Sequence, residues 1–153
     1  MMARAVFRTI SPSLLDPNIF QDAFEKASRA MEKDVKGAFI DATSGWKTPP
    51  QWRGYVRLTA DNIYISVGTA NEIFKFVDEG TVAHIIRPVK AKMLHWVDAG
   101  SGEDVFAREV HHPGTKPQHI SQDIREIWLG LMPDYFDKYL IEAIQKSGHA
   151  IHG

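Results

Sequence analysis

With 153 residues, 44% of them apolar and 24% charged, the chain has the length and composition of one folded domain with a real core. A formal net charge of -1 excludes a global basic field for nucleic acid, and the absence of cysteine excludes disulfides, thiolate metal sites and thiol nucleophiles. No stretch approaches the roughly 18 apolar residues of a membrane-spanning helix, and residues 1–8 lack the apolar run of a signal peptide; a soluble protein made in a reducing cytoplasm is expected.

Residues 1–15 show no periodicity and read as an arm. Asp16-Pro17 opens the first helix, the aspartate as cap and the proline at the first helical position. Phe20, Phe24, Ala27 and Met31 then form an apolar stripe opposite Asp22, Lys26, Arg29 and Lys33, which predicts a helix to about Phe39. Pro49-Pro50 and the polar residues before them stop it. Trp52, Gly54, Val56 and Leu58 alternate with Arg53, Tyr55 and Arg57, and Ile63, Ile65 and Val67 alternate with Tyr64 and Ser66. With Ala60-Asp61-Asn62 between them, these two runs predict a β-hairpin.

Residues 72–77 alternate as well and predict a third strand, turning at Asp78-Glu79-Gly80-Thr81. Two further short strands are expected at residues 91–96 and 105–110, joined by a polar, mobile loop at 98–104. Ser121 is the expected cap of a last helix carrying Ile124, Ile127, Trp128, Leu131, Tyr135 and Tyr139 at helical spacing. Pro133 should bend or break it, and Gly148 should end it. The predicted architecture is a single α+β domain over residues 1–153, with an N-terminal and a C-terminal helix covering one face of an antiparallel sheet of about five strands.

All seven histidines follow residue 83, so a zinc site drawing on them and on Asp78 or Glu79 is the first chemistry to weigh. No pair has helical ligand spacing, and adjacent His111 and His112 point to opposite faces of a strand. Neither a Gly-x-Ser-x-Gly nucleophile turn nor a phosphate loop is present. The bland reading, histidines in loops and subunit contacts, is preferred: no enzyme, no metal and no cofactor are expected. The runner-up is a small metal-dependent enzyme built on the His-rich second half, and a third reading is a module that binds a host factor. Arg53 and Arg57 beside Trp52 and Tyr55 form a local basic edge, with Arg87, Lys90 and Lys92 as a second cluster. A dedicated DNA reader is not indicated, although a ring lining a DNA passage could use these residues for non-specific contact.

The most specific text lies in residues 74–117. An aromatic strand with Phe76 leads to Asp78, Gly80 and Thr81; His84, Ile86 and Pro88 come next, and then Lys92, Leu94 and Trp96. Phe106 and Arg108 precede His112-Pro113-Gly114-Thr115-Lys116-Pro117. Physically these are punctuated corners: Gly80 can supply a positive φ, and Pro113-Gly114 favours a type II turn with Gly114 in the left-handed region. Pro117 sets an extended approach to the last helix.

This order and spacing resembles the neck/tail-component (tail-completion) family of long-tailed bacteriophages and prophages. One departure is that Gln118, His119 and Ile120 stand where members of that family have Pro-Phe and a small-residue helix start. The resemblance implies a non-enzymatic structural virion protein of the head–tail junction or tail top, in a neck, tail-completion or tail-terminator role. It implies a homo-oligomeric ring of six copies that meets connector and tail proteins, assembled from subunits made in the host cytoplasm. Trp46 and the loop residues Asp98, Gly100, Gly102 and Asp104 are candidate subunit contacts, and Trp52 and Trp96 serve either the core or such contacts.

Overall fold

The computed structural model describes residues 17–60 and 62–148. The arm expected at 1–15, the Asp16 cap and Asp61 in the hairpin turn lie outside the described residues. The elements run α1 (Pro17–Thr43), β1 (Arg53–Leu58), β2 (Ile63–Gly68), α2 (Glu72–Glu79), β3 (His84–Ile86), β4 (Leu94–Val97), β5 (Asp104–Ala107), β6 (Val110–His112) and α3 (Ile120–Lys146). The class is α+β, as the sequence pattern implies. The described strands number six, but they form three separate two-stranded antiparallel sheets, β1-β2, β3-β6 and β4-β5, in place of one continuous sheet. Two compact units result: one comprises residues up to 69 and from 124 onward, the other residues 70–123.

In the first unit, α1 buries Ala27 and Met31 of the expected stripe together with Ala23, leaves Phe20 and Phe24 half-buried, and continues past Phe39 to Thr43. Two hydroxyls inside this helix are fully buried, and each donates to a carbonyl one turn back: Ser28 to Phe24 at 2.6 Å and Thr43 to Phe39 at 2.8 Å. Phe39 stacks on Trp52 with ring centres 4.4 Å apart, and the indole N–H donates to Thr43 Oγ1 at 3.2 Å. Trp52 is thereby half-buried against α1 with its polar atom satisfied. The β1–β2 hairpin pairs Leu58 with Ile63 through Arg53 with Gly68. Its half-buried residues Val56, Leu58, Ile65 and Val67 share the face toward α1. Gly54 lies on that face because the Glu32 carboxylate occupies the space where a Cβ would stand, 1.4 Å from its position.

The remaining wall of this unit is α3, which crosses Pro133 as one continuous helix. The break allowed for at Gly130–Met132 is absent. Proline removes a single backbone bond, and α1 holds the half that follows it: Phe24 meets Phe136 at 5.6 Å, and the Tyr135 hydroxyl donates to Asp34. Gly148 stops the helix as expected, at φ 85° with its N–H on the Gln145 carbonyl at 3.1 Å.

In the second unit the strand predicted at 72–77 is instead the helix α2. The Asn71 side chain accepts from Phe74 N at 2.9 Å and caps it. Over so short a run the two periods are hard to separate: Phe74, Val77 and Asp78 are one face of a helix as readily as Phe74 and Phe76 are one face of a strand. The cap, and burial of Phe74, decide for the helix. The strands expected at 91–96 and 105–110 appear as the shorter hairpin β4–β5. A ladder not foreseen, β3–β6, pairs His84 with His112, Ile85 with His111 and Ile86 with Val110.

Candidate functional site

The motif residues converge at one clasp in the second unit. Thr81 and Thr115 form an isolated antiparallel bridge in which each backbone N–H donates to the other's carbonyl at 3.0 Å. Their hydroxyls lie 3.1 Å apart, and Thr115 N also reaches Thr81 Oγ1 at 3.0 Å. The glycine before each threonine makes this approach sterically feasible. Gly80 (φ 74°) and Gly114 (φ 88°) are both left-handed, as their corner positions predict. A Cβ on Gly80 would stand 2.6 Å from the Thr115 carbonyl oxygen and 2.9 Å from Pro117. A Cβ on Gly114 would stand 2.3 Å from the Thr81 carbonyl oxygen. The two Gly-Thr pairs, 34 positions apart in sequence, therefore interlock through contacts that admit only hydrogen at either glycine.

The same clasp fixes the start of α3. The C-terminal carbonyls of α2 accept from the incoming chain, Val77 from Gln118 N at 2.9 Å and Asp78 from His119 N at 3.1 Å. The Asp78 carboxylate accepts from Ser121 N at 2.8 Å. Ser121, expected to cap the last helix, is instead the residue whose N–H is capped, by a side chain 43 positions upstream. A carboxylate suits this end of a helix because unpaired N–H groups concentrate positive charge there. His119 holds the junction at φ 54°, an uncommon conformation for a residue other than glycine.

Histidines support the fold locally. His112 Nδ1 accepts from Gly114 N at 3.1 Å, while His84 Nδ1 lies 2.9 Å from the Val82 carbonyl and so carries a proton there. These cross-strand rings sit with centres 5.0 Å apart. Beside them, Glu109 accepts from Arg87 Nη2 at 3.1 Å and lies 3.4 Å from His111 Nε2. The Arg87 hydrogen bond, then that of His111, holds the Glu109 carboxyl below its ordinary range. The pairing of Arg87 with Glu109 was not read from sequence, because nothing in either segment specifies that β3 and β6 would be neighbours.

Other motif residues stand apart from the clasp. Leu94, Trp96 and Phe106 belong to the β4–β5 hairpin, where Trp96 pairs with Val105 and Phe106 with His95, putting Trp96 and Phe106 on opposite faces. Phe106 stacks on His95 at 4.6 Å, and His95 Nε2 lies 2.6 Å from Asp104 Oδ1. Pro88 and Lys92 lie between strands, and Lys116 is exposed beside Pro117. The 98–104 loop, expected to be mobile, is a tied turn. Asp98 Oδ1 accepts from Ser101 N at 2.8 Å and Gly100 N at 3.0 Å, and Asp98 O accepts from Gly102 N at 2.8 Å. The Ser101 and Gly100 amides draw the Asp98 carboxyl below its ordinary range, and Gly102 supplies a positive φ of 72°. Trp46, in the first unit, is half-buried, its backbone N–H on the Thr43 carbonyl at 3.1 Å.

The chemistry of these residues is that of hydrogen-bonded corners. Among the described residues no group of three or more His, Asp or Glu side chains is placed to hold a metal ion, and no helix is long and apolar enough to cross a membrane. No family model, no curated protein and no solved structure matches this chain.

Proposed function

We propose that this protein is a structural component of a long-tailed phage virion, acting at the head–tail junction or tail top by self-association into a ring. The motif order in residues 74–117 suggests the family. The observation that carries the assembly reading is the surface of the second unit. Within residues 70–123 the only buried large apolar side chain among the described residues is Phe74. Ten of the eighteen exposed large apolar side chains belong to the same stretch, including Val89 at 95%, Val82 at 83%, Phe106 at 59% and Phe76 at 50%. Isolated two-stranded sheets are marginal in water, and apolar surface on this scale is characteristic of subunit interfaces. Copies of the chain that covered these side chains would supply the burial that β3–β6 and β4–β5 lack by themselves.

Native mass spectrometry of the purified chain tests the association, and imaging of particles made without it tests the role. A closed oligomer of one size, together with tails that fail to join heads, is the expected result. A monomer at every concentration, or normal head-joined particles, would overturn the proposal.

A further inference from the structure

The outward face of the β1–β2 hairpin has a composition that the fold does not require. In register it presents Arg53 opposite Gly68, Tyr55 opposite Ser66 and Arg57 opposite Tyr64, all exposed. Neither strand contains an Asp or Glu. Arg29 has Glu25 and Arg87 has Glu109, whereas no described carboxylate lies within salt-bridge distance of Arg53 or Arg57, nor of Arg108 or Arg125 elsewhere in the chain. The Arg57 guanidinium lies over the Tyr64 ring, 5.9 Å from its centre. A cation–π contact of that kind occupies none of the guanidinium's N–H groups with a carboxylate and leaves them for an anion.

We infer that this face, Arg53, Tyr55, Arg57 and Tyr64, is a contact surface for the phosphate backbone of nucleic acid. Arg53 and Arg57 are four residues apart on one strand, about 14 Å. That separation is wide enough for the two guanidiniums to meet different phosphates. The tyrosines offer hydroxyls to a duplex backbone and ring faces to the bases of a single strand. An acidic peptide would use the arginines but leave the exposed Tyr55 ring idle, which favours nucleic acid. With a net charge of -1 the chain has no long-range steering field, so the contact is local, and two guanidiniums per copy bind weakly. The inference rests on the ring reading only for multiplicity, since repetition around an assembly turns two contacts into many.

The test is fluorescence anisotropy of the whole chain with labelled duplex and single-stranded oligonucleotides of one length. Two phosphate contacts predict a loss of affinity of about 12-fold for duplex, and about 7-fold for single strand, between 50 and 200 mM salt. Arg53→Gln with Arg57→Gln should abolish most of the binding and its salt dependence, while Lys replacements at both positions keep both. Lys90→Gln with Lys92→Gln removes the same charge elsewhere and should leave binding unchanged. Equal losses in the two Gln pairs, or no binding of either oligonucleotide at the lower salt, would overturn the inference. Masses measured on the same samples separate the two proposals. An assembled protein that ignores both oligonucleotides sinks this inference alone, whereas a monomer that binds them through Arg53 and Arg57 sinks the assembly reading alone.

Discussion

Replacing Gly114 by alanine tests the clasp most directly. The residue sits at φ 88°, where an L side chain costs about 1–2 kcal/mol. Its Cβ would also stand 2.3 Å from the Thr81 carbonyl oxygen and 2.9 Å from Val82 C, both backbone atoms that cannot swing aside. Relief requires the Thr81–Thr115 bridge to open, forfeiting two backbone hydrogen bonds worth about 1 kcal/mol each. The sum is about 3–4 kcal/mol, which at a urea slope of about 2 kcal/mol/M moves the midpoint by about 1.5–2 M. Gly102→Ala is the internal control. Gly102 is also left-handed, at φ 72°, but nothing lies within 4 Å of its Cβ position, so only the conformational cost of about 1–2 kcal/mol applies. Gly114→Ala should in addition speed amide exchange at Thr81 and Thr115, which Gly102→Ala should spare. Equal destabilisation by the two substitutions, or unchanged exchange at the bridge, would refute the steric account of the clasp.

Three further outcomes follow from the same structure. Gly54→Ala should cost about 0.5–1.5 kcal/mol, because the Glu32 side chain fills the Cβ position and its flexible end must take another rotamer. Glu32 Oε1 lies 3.3 Å from Lys36 Nζ without a well-directed hydrogen bond, and in a Glu32→Ala background the Gly54 change should become neutral or stabilising by thermal melts. Asp78→Ala should lower stability by about 1 kcal/mol and speed exchange at the Ser121 amide, with Asp78→Asn recovering most of the loss because it retains an acceptor. Burial, then the hydrogen bond and charge of Asp34, push the Tyr135 hydroxyl up from 10.0 to about 12. The folded state favours the neutral phenol, so this contribution is complete below pH 10.0 and disappears as pH rises through about 12. Phenolate absorbance and stability against pH should show that loss in the native protein, and Tyr135→Phe should flatten it.

Local chemistry made part of this molecule legible from sequence. The α1 stripe at Ala27 and Met31, the alternation in β1 and β2, and the stop at Gly148 depend on neighbours within a few residues, and each is where its period or corner residue implies. Gly114 is legible for the same reason, since a positive φ after a proline is a local demand, and Gly80 is left-handed as well, though at the end of α2 and not of the expected strand. What those corners are for is not local. The residues of α2 fit both periods, and a cap from Asn71 together with burial of Phe74 chose the helix. The pairing of β3 with β6, the Arg87–Glu109 ion pair and the capping of Ser121 by Asp78 join segments more than 20 positions apart. The sequence by itself determined where the chain turns and which residues can turn it. Only the tertiary structure decided which corners meet, because hydrogen-bond partners across a fold are set by the whole packing and not by the spacing of residues along the chain.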